Sequence, residues 1–104
     1  MKRFHIALGV ADVEASVQDY RQRLGSPPDL LIPGEYALWR TDTLNVSIRK
    51  VASAEAGALR HLGWEDPSAP AFSAEHDVNG ILWERFTAGQ QAEEIQQIWP
   101  SPNN

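Results

Sequence analysis

The stretch RFHIALGVADVEASVQDYRQRLG, running from Arg3 to Gly25, decides how this chain folds. Arg3 to Val10 is a short run with β-type flanks, in which Phe4, Ile6 and Leu8 share one face and His5 takes the other, as a two-residue period requires. Asp12 then stands where an N-cap belongs. Val13, Val17, Tyr20 and Leu24 follow at offsets of four, seven and eleven, which is one face of a helix. Gly25, followed by Pro27 and Pro28, supplies the stop. A strand therefore feeds directly into a helix of about three turns.

Beyond that unit, Asp29 to Ile32, Tyr36 to Arg40 and Leu44 to Lys50 are strand candidates, separated by Pro33-Gly34 and by Thr41-Asp42-Thr43. The last alternates cleanly, with Leu44, Val46 and Ile48 on one face and Asn45, Ser47 and Arg49 on the other. Residues 1–50 thus read as a βαβββ module. Ala52 to Gly57 is a linker, and Leu59 to Glu65 is another strand. There His61-Leu62-Gly63-Trp64 echoes His5-Ile6-Ala7-Leu8 at an offset of 56 residues, the size of one such module. Pro67 to Pro70 is a loop and Ala71 to His76 a short strand. Asn79-Gly80 predicts a type I′ hairpin returning through Ile81 to Phe86. Thr87 and Gln90 have capping-box spacing ahead of Ala92, Ile95, Ile98 and Trp99, so the chain ends on a helix over Ala88 to Trp99. Between Glu65 and Ala71 there is no room for a helix and a strand. Residues 58–99 therefore read as a shortened second module plus a C-terminal helix, which is expected to cover the sheet face that the missing helix leaves bare.

The chain has 104 residues, a formal charge of −5 and no cysteine, which bounds it to a single domain over 1–104. Its 42% hydrophobic and 22% charged residues are near globular averages and exclude the disordered, collagen-like and coiled-coil classes. Nine basic residues against fourteen acidic ones, unclustered, argue against nucleic acid and acidic membrane surfaces as partners. Without cysteine, any metal must sit on His, Asp or Glu. No apolar run approaches the roughly 20 residues of a membrane span, and Met1-Lys2-Arg3 opens no signal-type stretch, so the expected compartment is the cytoplasm. The small size and an exposed sheet edge favour a homodimer.

A βαβββ unit opening on a histidine strand, followed by a second histidine strand, resembles the vicinal oxygen chelate superfamily, the glyoxalase, bleomycin-resistance and dioxygenase group. The resemblance is carried by Phe4-His5-Ile6-Ala7-Leu8-Gly9-Val10 with Asp12, Ser16, Tyr20 and Leu24-Gly25, and by Asp77-Val78-Asn79-Gly80 with Glu84 four residues after the glycine. It implies an α+β fold in which two βαβββ-type modules form a curved mixed sheet around a cavity. It also implies a divalent metal ion, Fe, Mn, Ni or Zn, held by His5, His61 and Glu84, with Glu84 as the catalytic carboxylate. The fourth position of the pattern falls on or near Ser47, where glyoxalases of the group commonly carry a carboxylate; the remaining two-His-one-carboxylate set is similar to that of the group's extradiol dioxygenases and thiol transferases. In several relatives the site is shared between subunits.

The residue chemistry beside that resemblance leaves two readings of the cavity open, and a third in which the exposed sheet or terminal helix of a subunit-like domain serves protein association. Two imidazoles and one carboxylate bind a divalent metal facially and leave positions free, which suits a lyase, isomerase or dioxygenase acting on a small oxygen-bearing molecule. Arg49 or Arg40 offers a bidentate grip on a carboxylate or phosphate, with Ser47, Trp39 and Trp83 as further candidate substrate contacts. Equally, a histidine in a half-buried strand is an ordinary hydrogen-bonded residue, Glu84 pairs with Arg85, Arg49 or Arg40, and Trp39, Trp64 and Trp83 are core. On the second reading the cavity belongs to a metal-free protein that sequesters a planar small molecule. His76 and the pair Glu93-Glu94 read as solvated.

Overall fold

Asp12 caps the first helix as its sequence position requires, its carboxylate accepting from the Ala15 amide at 3.0 Å. Gly25 closes the helix in the left-handed conformation, φ 85°, with its amide bonded to the Arg21 carbonyl. The computed structural model describes residues 1–100. In chain order the elements are β1 (Arg3–Val10), α1 (Val13–Leu24), β2 (Leu30–Ile32), β3 (Tyr36–Arg40), β4 (Leu44–Lys50), a 3₁₀ turn (Ser53–Glu55), β5 (Leu59–Glu65), β6 (Ser73–His76), β7 (Leu82–Phe86) and α2 (Ala88–Ile98). The fold is α+β.

All seven strands join one mixed, open sheet in the order β2-β3-β4-β1-β5-β7-β6. At its centre β1 runs antiparallel to β5. Each of these two strands has a parallel neighbour on its outer side, β4 for β1 and β7 for β5. The two halves therefore repeat one another, and the second lacks a helix and one strand. That is the shortening read from the spacing between Glu65 and Ala71.

Strand parity gives the sheet two unlike faces. On one, α1 lays Val13, Val17, Tyr20 and Leu24 over Ala37, Trp39, Val46 and Ile48. On the other stand His5, Asn45, Ser47, His61, Glu65 and Glu84, aligned through the pairings of β1 with β4 and β5 and of β5 with β7.

The C-terminal helix departs from expectation. It packs on the histidine face, where Ile95 joins Tyr36 and Leu38, and where the Trp99 ring lies 4.9 Å from that of Tyr36. Tyr36 and Leu38 alternate onto that face, and burying them together with Ile32 favours the docking of α2 there. The face vacated by the missing helix stays open instead. Phe4, Trp64 and Trp83 cluster there, Phe4 lying 5.2 Å from Trp64 and 6.1 Å from Trp83 between ring centres, and Trp64 remains 40% exposed.

The hairpin also differs. Among the described residues none other than glycine has a positive φ, so Asn79-Gly80 is not a type I′ turn. The Gly80 amide bonds to the Asp77 carbonyl, making Val78 and Asn79 the central pair, and Gly80 follows with φ 79°. The Asp77 carboxylate accepts from the amides of Asn79 and Ile81, which stabilises this wider loop. In consequence β7 begins at Leu82 rather than Ile81; β6 begins at Ser73 rather than Ala71.

Candidate metal centre

His5, Gly63 and Glu84 stand side by side across β1, β5 and β7, and His61 sits two residues from Gly63 on the same face. Gly63 makes the convergence possible, because a Cβ there would overlap the Glu84 backbone carbonyl. The two imidazole Nε2 atoms are 2.9 Å apart. Glu84 Oε1 lies 3.0 Å from His61 Nε2 and 3.9 Å from His5 Nε2. Neither Arg85, Arg49 nor Arg40 pairs with Glu84; Arg85 and Arg40 bond to Asp66 and Glu65.

The tautomer of His5 follows from its surroundings. Its Nδ1 faces two acceptors, the Asn45 side-chain oxygen at 2.9 Å and the Asn45 carbonyl at 3.1 Å, so Nδ1 carries the proton. In the neutral ring Nε2 then holds a lone pair aimed at His61 and Glu84. Burial pushes the His5 pKa below its ordinary value, with the neighbouring His61 adding to the effect. The ring is therefore neutral at neutral pH.

Asn45 is itself held on both sides. Its amide donates to Glu65 at 2.9 Å and to Gln91 at 2.8 Å, and Gln91 returns a bond at 3.1 Å. Glu65 also accepts from Arg3 and Arg40. These bonds, that from Arg40 foremost, hold the Glu65 pKa at about 2. A buried chain of charge-assisted bonds thus reaches from two surface arginines to the back of His5.

The donor set suits a divalent ion. Ligand atoms about 2.1 Å from one ion and at right angles are about 3 Å apart, which matches the two shorter separations. All three donor atoms lie within 4.8 Å of one another. The ion would have three protein ligands and retain open coordination positions on the cavity side.

That cavity, of about 380 Å³, lies between the histidine face and α2. Ser47 and Arg49 line it, as does Tyr36, whose hydroxyl burial pushes up to about 12. Two of the sequence candidates lie elsewhere. Trp39 is fully buried under α1 and donates its indole N–H to the Ser26 carbonyl, because odd-numbered β3 residues face the helix. Trp83 pairs with Leu62 on the open face and donates to Asp77. Arg40 is engaged by Glu65 and does not line the cavity.

Sequence reading missed Asn45, Gln91, Glu65 and Arg60. Parity puts Asn45 and Glu65 on the histidine face, a legible signal. Arg60 had none. It is the extra residue where the β1–β5 register shifts, Ala7 pairing with His61 and Leu8 with Leu59, and this bulge lets Arg60 line the same cavity as His61. A comparison with protein-family models and with curated proteins finds no match for this chain. Among the described residues, no helix is long and apolar enough to cross a membrane.

Proposed function

We propose that this chain is a small metal-dependent enzyme of the vicinal oxygen chelate type, a lyase, isomerase or dioxygenase acting on a small oxygen-bearing molecule, with His5, His61 and Glu84 as the ligands. The supporting observation is the convergence of three donor atoms from three separate strands, two of them imidazole nitrogens 2.9 Å apart. His5 Nε2 and Glu84 Oε1 present lone pairs beside His61 Nε2, and one shared cation would engage all three atoms at once. When bound, a divalent ion of Fe, Mn, Ni or Zn polarises an oxygen of the substrate as a Lewis acid.

The chain's own residues supply the rest. Asn45 locks the His5 ring in the tautomer that presents Nε2. Glu84 keeps a second carboxylate oxygen beside the cavity, where it can take or return a proton. The Tyr36 hydroxyl, with its raised pKa, stays protonated and is a hydrogen-bond donor on the β3 part of the histidine face. Ile95, Ile98 and Trp99 of the C-terminal region give the cavity an apolar wall.

The test is elemental analysis of tag-free protein purified without chelator, beside His5→Ala and Glu84→Ala. The expected result is near-stoichiometric divalent metal, lost in both variants while the far-ultraviolet dichroism is unchanged. Failure of the wild type to take up added Fe, Mn, Ni or Zn would instead favour a metal-free sequestering protein. Tyr36, Phe72, Phe86 and Trp99, which line the cavity, would then carry ligand binding.

A further inference from the structure

Arg49 and Arg60 line the same cavity as His5, His61 and Glu84, one from β4 and the other from the bulge of β5. Among the described residues neither has a carboxylate within ion-pair distance, whereas Arg3, Arg23, Arg40 and Arg85 all do. Arg49 sets its guanidinium 5.1 Å from the centre of the Trp99 ring. A guanidinium over an aromatic ring keeps N–H donors for a second partner.

The other charges facing this region are Glu84 and, from α2, Glu94. With both arginines they sum to zero, so a bound divalent ion leaves the cavity with two net positive charges. Two like charges kept near one another in a partly desolvated cavity repel unless a ligand bridges them.

We propose that Arg49 and Arg60 together form the subsite for an anionic group, a carboxylate, carried on the same molecule whose oxygen atoms meet the metal. The substrate class is thus a small dicarboxylate with an oxo or hydroxy oxygen at one end. This inference rests on the metal reading for that chelating end, and on the arginine pair alone for the other. The bulge at Arg60 has a function on this view: strict alternation on β5 would turn the guanidinium towards the opposite face.

The experiment compares two probes by calorimetry on Mn²⁺-loaded protein. One is 2-oxoglutarate, which has a chelating oxo-acid end and a second carboxylate; the other is 2-oxobutyrate, which has the same chelating end and no second carboxylate. The expected result is at least tenfold tighter binding of 2-oxoglutarate, with the ratio falling towards one in both Arg49→Gln and Arg60→Gln while Mn²⁺ affinity is unchanged. The lysine variants, Arg49→Lys and Arg60→Lys, should keep part of the preference, because charge survives and the fork does not. Mn²⁺ uptake with equal binding of the two probes would overturn the anion subsite and leave the metal reading standing. So would a preference that survives in both glutamine variants. A protein that takes up no Mn²⁺ yet binds succinate, with that binding lost in Arg49→Gln and Arg60→Gln, would overturn the metal reading and support the arginine subsite.

Discussion

At His5 the ring nitrogen turned away from the cavity has only Asn45 oxygens to meet, so the orientation of the opposite nitrogen depends on Asn45. Asn45→Ala removes the side-chain acceptor and leaves the buried Glu65 and Gln91 groups short of a partner. Divalent metal affinity should drop about 10- to 100-fold, measured by competition with a chromophoric chelator. Unchanged affinity would mean that the backbone carbonyl of residue 45 alone orients the ring. His5, His61 and Glu84, expected together from the family resemblance carried by the repeated histidine strand and the Asn79-Gly80 turn, do come together in the structure. Arg60 was not legible in the sequence, since a bulge changes the direction of a side chain without leaving a mark in the residue order.

Among the elements, α2 carries the clearest difference between pattern and placement. Thr87 and Gln90 form the capping box their spacing announces, with bonds of 2.8 and 3.1 Å, and Ile95 and Trp99 are the apolar positions that dock. The periodicity identifies an amphipathic helix and its buried stripe, and contains nothing about which sheet face receives it. Ile95→Ala should cost about 2 kcal/mol, read from the shift of a urea unfolding midpoint at constant slope. Because α2 forms a wall of the cavity, the same variant should also weaken small-molecule binding there. A variant as stable as wild type would indicate that α2 contributes little to the fold. The β6–β7 hairpin teaches a similar lesson: Asn79-Gly80 announced a tight turn, but Asp77 bonds with two amides of the loop and stabilises a wider one.

Across the whole molecule, the Glu65 network joins β1, β3, β4 and β5 and passes through Asn45 to α2. Folding lowers the Glu65 pKa from the usual carboxylate range to about 2, so its contribution is present at neutral pH and is lost as pH falls from about 4.5 towards 2. The shift corresponds to stability on the order of 3 kcal/mol. Thermal unfolding from pH 7 to pH 2 should therefore show a steep acid limb that Glu65→Gln flattens, with Glu65→Gln less stable at pH 7 because Arg3 and Arg40 lose their buried partner. An acid limb of equal slope in both proteins would assign the acid sensitivity to other carboxylates. The sequence by itself determined the strands, both helices, the repeat of the histidine strand and the shortening of the second half, since these depend on residue periodicity and on chain length between neighbours. Only the tertiary structure decided that Trp39 and Trp83 face away from the cavity, that α2 covers the histidine face, and that Arg60 joins Arg49. Those outcomes depend on which surfaces remain unburied once the sheet has formed, a property of all seven strands together.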